Sequence, residues 1–251
     1  TSSVRTMIDN GLALTTASVI KKMEETTGKK CSQTCGKQVI GDAQAKKAEL
    51  LLAENKDKSE QDIYAATATM MKATSGTTSK SQIEHVIDEG RKIKVKAMMK
   101  AMVSTSNKAE TTTTHRNRID MAKEALAATG KKDVSDQEAA IVVERVIGDN
   151  MMESMKACME NAPDTLAKKK CYSVVQKGSQ KEMGLEVTQK SEVLRKIKDA
   201  AVRRIKDMRR DCKLELRTSQ EETKAEKFKQ CMTEVRTEGA NMMGKTNGKK
   251  F

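Results

Sequence analysis

Apolar residues recur at intervals of three and four along most of the chain, which is the spacing of one face of an α-helix. The two clearest apolar stripes are Val143, Val146, Ile147, Met151, Met155 and Cys158, and then Leu194, Ile197, Ala201, Ile205, Met208 and Cys212. The pattern predicts long helices near 33–54, 59–74, 81–104, 107–128, 135–160, 164–182, 188–217 and 219–242.

Two kinds of residue mark the predicted helix ends. Four segments have the capping-box form, in which a short polar side chain and a Glu three residues later bond the free N–H groups of a helix start: Ser135 to Glu138, Ser219 to Glu222, Ser81 to Glu84 and Asn107 to Glu110. Glycines, which adopt the left-handed conformation of a helix C-terminus without strain, stand near predicted ends at Gly28, Gly76, Gly130 and Gly184.

Composition favours a fold built from helices alone. The chain has two Tyr, two Phe, no Trp and one Pro, against 17 Met and 33% charged residues. Strand-rich folds rely on aromatic and β-branched side chains, whereas Ala, Lys, Glu, Met and Leu lose little rotamer freedom in a helix. We therefore predict an all-α protein whose methionines fill the gaps of a core that lacks aromatics. No apolar run approaches the roughly 18–20 residues that a membrane span needs.

Recurring landmarks indicate an internal repeat. Gly130 precedes Cys158 by 28 residues, as Gly184 precedes Cys212, and Cys171 precedes Gly184 by 13 residues, as Cys231 precedes Gly244. Further upstream, six residues match six others at an offset of 76: Lys47, Leu50, Lys56, Asp57, Ser59 and Gln61 against Lys123, Leu126, Lys132, Asp133, Ser135 and Gln137. Chance similarity among helices rich in Ala and Lys is the alternative.

The repeat predicts how the chain is organised. We expect residues 1–251 to form a single array of about three and a half tandem antiparallel helical hairpins, which pack as an elongated bundle or a solenoid. The approximate units are 1–57 with an insertion-bearing extension 58–106, then 107–160, 161–217 and 218–251. Because the chain begins with Thr1 rather than Met, we also expect it to be trimmed, processed or cut from something longer.

Four of the six cysteines stand at places that suit disulfides between neighbouring helices. Cys158 lies six residues before the expected helix cap Asp164, and Cys171 lies seven after it, so a tight hairpin brings the two together. Cys212 and Cys231 flank Ser219 less symmetrically, so their pairing requires a longer or tilted turn.

A second unit supports the pairing. Residues 99–102 match residues 155–158 at an offset of 56, which aligns Met102 with Cys158 and His115 with Cys171, so both cysteine positions change there together. Losing both partners at once is what a covalent pair predicts and what independent core thiols do not.

The remaining two cysteines, Cys31 and Cys35, are four residues apart and pair either with each other or with nothing in this chain. Their spacing resembles half of a zinc site, but no second ligand pair follows, and the two His residues, His85 and His115, are isolated. We expect no metal. Disulfides place the protein in an oxidising compartment, whereas six free thiols would place it in the cytoplasm or nucleus.

The landmarks Cys158-Met159 to Cys171 and Cys212 to Cys231-Met232 resemble cysteine-containing helical repeats in predicted proteins of algae, other aquatic protists and their large viruses. The resemblance covers the units from about Met99 onward. It implies a helical repeat with Cys-Met…Cys landmarks and no catalytic residue.

One short segment matches a nucleotide-binding motif. Residues Gly239 to Thr246 fit the P-loop expression G-x-x-x-x-G-K-T letter for letter. A P-loop needs a strand before it and a helix after it, whereas here a predicted helix precedes the match and the chain ends five residues later. We expect no nucleotide binding, no cofactor and no active site.

The net charge of +13 is the other functional signal. Short basic runs are candidate anion-binding residues: Lys168, Lys169, Lys170, Arg203, Arg204, Arg209 and Arg210. Four aromatic side chains supply almost no surface on which bases could stack, so any nucleic-acid binding is expected to be non-specific and directed at the backbone. The alternative is that these residues are solvated helix faces that meet acidic faces of neighbouring copies.

These patterns predict a non-enzymatic structural protein. We expect a disulfide-stapled helical repeat that associates through helix faces, with itself or with other structural proteins, into a filament, matrix, shell or virion. Its expected location is extracellular, in a secreted matrix or in a virion. The alternative is a basic protein that packages nucleic acid without sequence specificity.

Overall fold

The computed structural model describes residues 6, 15–28, 31, 33–76, 79–105, 115–183, 185, 189–218 and 224–243. Within these ranges every regular element is an α-helix, so the predicted all-α class is confirmed. We number the helices α1 (Thr16–Thr27), α2 (Gln33–Glu54), α3 (Glu60–Ser75), α4 (Lys80–Thr105), α5 (His115–Ala127), α6 (Asp136–Asn161), α7 (Thr165–Met183), α8 (Lys190–Thr218) and α9 (Lys224–Met243).

The predicted helices agree with the observed ones wherever the structure describes both. The helix predicted at 33–54 has the same bounds as α2, and most other described ends differ by one or two residues. The predicted starts at 107, 188 and 219 fall on residues outside the described ranges. Helix α1 was not among the predicted helices, although Gly28 was expected to stand near a helix end. Thr15 caps α1 through reciprocal hydrogen bonds with Ser18.

Capping chemistry explains several helix starts. The predicted box at Ser135 is present, because the Ser135 hydroxyl accepts from the Glu138 backbone N–H at 3.2 Å, and the Glu138 carboxylate accepts from the Ser135 N–H at 3.1 Å. Ser59 and Asp62 form the same arrangement at the start of α3. The boxes predicted at Asn107 and Ser219 lie outside the described residues.

The box predicted at Ser81 is wrong. Helix α4 already begins at Lys80, and the carbonyl of Ser79 accepts the first backbone hydrogen bonds, from Gln82 and Ile83. Glu84 instead lies 3.8 Å from the Lys80 ammonium, one helical turn away. A Ser followed by a Glu at the right spacing is therefore not sufficient to place a helix start.

The capping box of α6 predicts a specific loss of stability in acid. Hydrogen bonds from the Ser135 backbone, the Lys131 ammonium and the Ser135 hydroxyl lower the pKa of Glu138 from 4.5 to about 2. Because the folded-state pKa is the lower one, this contribution to stability is complete above pH 4.5 and disappears as the pH falls towards about 2. We expect urea midpoints of the wild type to fall more steeply over this window than those of Glu138→Gln. Parallel curves for the two proteins would contradict the assignment.

The described helices form two compact units. One comprises Thr1–Ala101 with His115–Val143, and the other comprises Met102–Thr114 with Glu144–Phe251, so that α6 begins in the first and ends in the second. Whether the units of the predicted repeat stack as a solenoid stays a prediction, as do its boundaries.

One apolar cluster in the core of the first unit is formed by α2, α3 and α4. Its buried residues are Ala48, Leu52, Ile63, Met71, Ile83, Val86 and Ile87. A smaller cluster, with Val19 and Ile40 at its centre, packs α1 against α2. One buried polar pair joins α2 to α3, because the Gln44 side-chain amide donates to the Thr74 hydroxyl at 3.0 Å.

Left-handed glycines end three described segments. Gly28 and Gly76 have φ of 67° and 68° after α1 and α3, and Gly130 has φ of 78° after α5, as their positions predicted. Gly130 is also a point of close approach, since an added Cβ would lie 2.6 Å from Ile63 Cδ1. Gly184 lies outside the described residues.

The second unit buries one stripe from each of its four helices. The buried apolar residues are Val146, Ile147, Met151, Met152 and Met155 in α6; Cys171 and Val175 in α7; Val193, Ile197, Ala200, Ala201, Ile205 and Cys212 in α8; and Val235 and Met242 in α9. The prominence of Met and Ala agrees with the expectation that methionines fill a core without aromatics.

The stripe predicted for α8 is wrong at its first residue. Leu194 is 48% exposed, and its neighbour Val193 is buried in its place. The buried face of α8 runs through Val193, Ile197 and Ala200, and Lys196 at its edge pairs with Glu144 of α6. The rest of the predicted stripe is buried as expected at Ile197, Ala201, Ile205 and Cys212.

Candidate functional site

Each of the six cysteines lies in a disulfide. Cys158 of α6 pairs with Cys171 of α7, with 5.5 Å between the Cα atoms, and Cys212 of α8 pairs with Cys231 of α9, with 5.8 Å between them. Both pairs join consecutive helices, as the sequence predicts. The three disulfides indicate an oxidising setting.

The third disulfide joins Cys31 to Cys35, with 5.5 Å between the Cα atoms. Cys31 lies before the first residue of α2, and its backbone N–H donates to the Glu24 carboxylate of α1 at 3.2 Å. The sequence left open whether Cys31 and Cys35 pair with each other or with nothing in this chain, and the structure shows that they pair with each other. The pairing also occupies both thiols of the candidate half-site for zinc.

The described residues include neither a metal-binding cluster nor a membrane-spanning helix. Among them, no group of three or more His, Cys, Asp and Glu side chains is arranged to hold a metal ion. No helix within the described ranges is both long and apolar enough to cross a membrane.

The P-loop match begins inside a helix. Gly239 lies in α9, where an added Cβ would come within 3.1 Å of Ile205 Cδ1 of α8. A helix interior packed against another helix is not the loop that cradles a phosphate. Gly244 to Thr246 lie outside the described residues.

Two of the four candidate anion-binding arginines of α8 form ion pairs with acidic side chains at distances the structure gives. Arg203 Nη2 lies 3.4 Å from an Asp149 carboxylate oxygen of α6, and Arg210 Nη2 lies 3.1 Å from Asp207. Arg204 and Arg209 are half-buried. Helix α8 is thus a basic helix whose charge is partly balanced within the second unit.

The lysines of α7 have a different environment. Lys168, Lys169 and Lys170, which the sequence singled out, are all exposed, as are two further lysines, Lys177 and Lys181. Unlike Arg203 and Arg210, none of the five forms an ion pair with another described residue. The only acidic residue of α7 is Glu182. Helix α7 therefore carries uncompensated positive charge.

Three of these lysines share one face of α7 with two exposed apolar side chains. We call this face the outer stripe: Leu166, Lys170, Val174, Lys177 and Lys181. At 100° per residue the five positions span less than a quarter of the helix circumference, along about 22 Å of its axis. Leu166 is 63% exposed and Val174 is 56% exposed, which makes them the two most exposed large apolar residues described.

The opposite face of α7 holds the helix in place. Cys171, Val175 and Ser179 are buried there at intervals of four residues, and Cys171 is bonded to α6. The Asp164 carboxylate caps the helix by accepting from the Ala167 N–H at 2.7 Å, as the sequence predicted for this residue. The rotation of α7 is therefore fixed, and the outer stripe faces solvent.

A contact between α7 and the start of α8 fixes the same helix along its length. The Tyr172 hydroxyl donates to the Lys190 carbonyl at 2.5 Å, and the Lys190 ammonium lies 5.3 Å from the centre of the Tyr172 ring. Burial raises the pKa of Tyr172 above its ordinary value.

Four members of the outer stripe were not predicted from the sequence: Leu166, Val174, Lys177 and Lys181. Lys168, Lys169 and Lys170 were predicted as anion-binding residues because they are consecutive, but consecutive residues point to different sides of a helix. Lys and aliphatic residues at helical spacing do mark the stripe in the sequence, but its exposure follows only from the burial of Cys171 and Val175 on the opposite face.

Comparison of the chain with family models, with curated proteins and with solved structures gave no match.

Proposed function

We propose that the protein is a disulfide-stapled structural protein that assembles with copies of itself in an oxidising setting, as a component of a filament, matrix, shell or virion. The observation that carries the proposal is the pairing of all six cysteines. Two of the three bonds cross from one helix to the next, where they limit the freedom of a hairpin that lacks an aromatic core.

The proposal includes no catalytic role. Thiolates are the strongest nucleophiles among the side chains, and here the six cysteine sulfurs are consumed in structural bonds. Such bonds suit a protein whose role is structural.

Exposed aliphatic side chains outside α7 support association between copies. Ile141 of α6 is 46% exposed and Leu194 of α8 is 48% exposed. Apolar contacts between helix faces would compensate the mutual repulsion of chains that each carry a net charge of +13.

Sedimentation velocity tests the assembly. We expect the oxidised protein to form species larger than the monomer that persist or grow between about 50 mM and about 500 mM NaCl, because salt screens the repulsion and leaves apolar contacts intact. Ile141→Ser with Leu194→Ser should shift the distribution towards the monomer. A monomer at every salt and protein concentration would contradict the proposal.

Peptide mapping without reductant, on protein from its natural source, is the companion measurement. We expect peptides in which Cys158 is linked to Cys171 and Cys212 to Cys231. Six free thiols would contradict the oxidising setting and would favour the alternative, a basic protein that packages nucleic acid, whose binding weakens steeply with salt.

A further inference from the structure

The outer stripe of α7 combines positive charge with exposed apolar surface. Lys170, Lys177 and Lys181 have no acidic partner among the described residues, and Leu166 and Val174 lie between and beside them. A stripe of lysines alone would serve any anion. The aliphatic side chains narrow the choice of partner, because their burial is favourable only against a partner that also offers apolar surface.

A bilayer that contains anionic phospholipid offers both negative charge and apolar surface. Its phosphates attract lysines that lie close to the surface, and the boundary between headgroups and acyl chains accepts aliphatic side chains. Duplex nucleic acid offers phosphates but no comparable site for Leu166 and Val174. Single strands offer base faces, which are recognised by aromatic side chains, and the outer stripe has none.

A second copy of the chain is a poorer partner for this stripe than an anionic surface. Each copy carries a net charge of +13, so a cationic stripe approaches a cationic protein. The same charge steers the whole molecule towards an anionic surface.

The structure also holds the stripe in a conformation that suits a flat surface. The disulfide to Cys158 and the buried residues Cys171 and Val175 keep the opposite face of α7 inside the second unit. The helix therefore needs no folding step before contact, and little conformational entropy is lost on binding.

We propose that the outer stripe of α7 docks the protein on a membrane surface rich in anionic phospholipid, with its lysines at the phosphates and Leu166 and Val174 in the interface. This role goes beyond the proposed structural function and does not depend on it. The helix lies along the surface, and the bilayer is not crossed.

Co-sedimentation of the oxidised full chain with vesicles tests the proposal. We expect binding to vesicles of phosphatidylcholine with about 30% phosphatidylserine at about 50 mM NaCl, weaker binding at about 500 mM, and little binding to phosphatidylcholine alone. Lys170→Gln with Lys177→Gln and Lys181→Gln should lower the partition coefficient by about two orders of magnitude. Leu166→Ser with Val174→Ser should lower it roughly tenfold or more.

The neighbouring helix offers matched controls. Lys198→Gln with Lys206→Gln and Lys213→Gln removes the same charge from three exposed lysines of α8. Ile141→Ser with Leu194→Ser removes two aliphatic side chains of similar exposure elsewhere. Both control variants should retain most of the binding. Circular dichroism of every variant should show unchanged helicity.

Three results would overturn the proposal: no binding to anionic vesicles, equal losses from the α7 variants and their controls, or tighter binding to duplex DNA that ignores Leu166→Ser with Val174→Ser. The last result would make nucleic-acid phosphates the partner. Sedimentation of the same variants without vesicles reports on self-association separately, so the failure of one proposal is distinguishable from the failure of the other.

Discussion

Replacing Cys158 and Cys171 together by Ala is expected to lower the free energy of unfolding by about 3 kcal/mol. The bond closes a loop with a sequence separation of 13 residues, and the loss follows from the freedom that the unfolded chain regains. Because Cys171 is buried, truncation adds a packing loss of its own. Urea unfolding followed by circular dichroism measures the effect, in the wild type with and without reductant and in the double variant.

The Cys31–Cys35 bond provides an internal control. Its sequence separation is only 4 residues, so the same chain-entropy argument predicts a smaller loss, about 2 kcal/mol. The Cys212–Cys231 bond, with a separation of 19, should resemble the first. If the shortest loop proved the most stabilising, constraint of the unfolded chain would not be the main effect of these bonds.

Gly90→Ala is expected to destabilise the first unit, although it replaces a poor helix former with the best one. An added Cβ on α4 would lie 2.9 Å from the backbone nitrogen of Glu49 and 3.2 Å from the Ala45 carbonyl oxygen, both on α2. Backbone atoms cannot move aside as a side chain does, so α2 and α4 must separate. Overpacking of this kind costs roughly 1–3 kcal/mol, which exceeds the gain in helix propensity of about 1 kcal/mol.

Gly41→Ala on α2 is the matched control, because nothing lies within 4 Å of the added Cβ. There the propensity gain acts alone, and stability should rise by up to about 1 kcal/mol. Thermal unfolding of the two variants should give shifts of opposite sign. Shifts of the same sign would show that α2 and α4 do not approach as closely as the structure places them.

The sequence predicted the fold well where local signals agree. The helix at 33–54 matches α2, and the capping box at Ser135 lies where the box pattern places it. The pairing of Cys158 with Cys171 followed from their similar distances from Asp164, six and seven residues, a rule of hairpin geometry that needs no tertiary information. The signals for these features lie within a few residues of one another, which is why one sequence is enough.

Predictions failed where distant residues decide. Leu194 fits the apolar stripe of α8 as well as Val193 does, and the choice depends on which side of α8 meets Glu144 and Gly148 of α6. The outer stripe of α7 was missed for a related reason. Without knowing that Cys171 and Val175 face inward, the sequence cannot show that Leu166 and Val174 face outward.

The scarcity of aromatic side chains has an optical consequence. With two Tyr and no Trp, fluorescence excited at wavelengths that Phe does not absorb comes from Tyr64 and Tyr172 alone. Tyr64 packs against the core of the first compact unit, and Tyr172 makes its hydrogen bond within the second. Each compact unit therefore contains one tyrosine. Tyr64→Phe or Tyr172→Phe leaves a single emitter, so the melting of each half of the chain can be followed in the intact molecule without any added label.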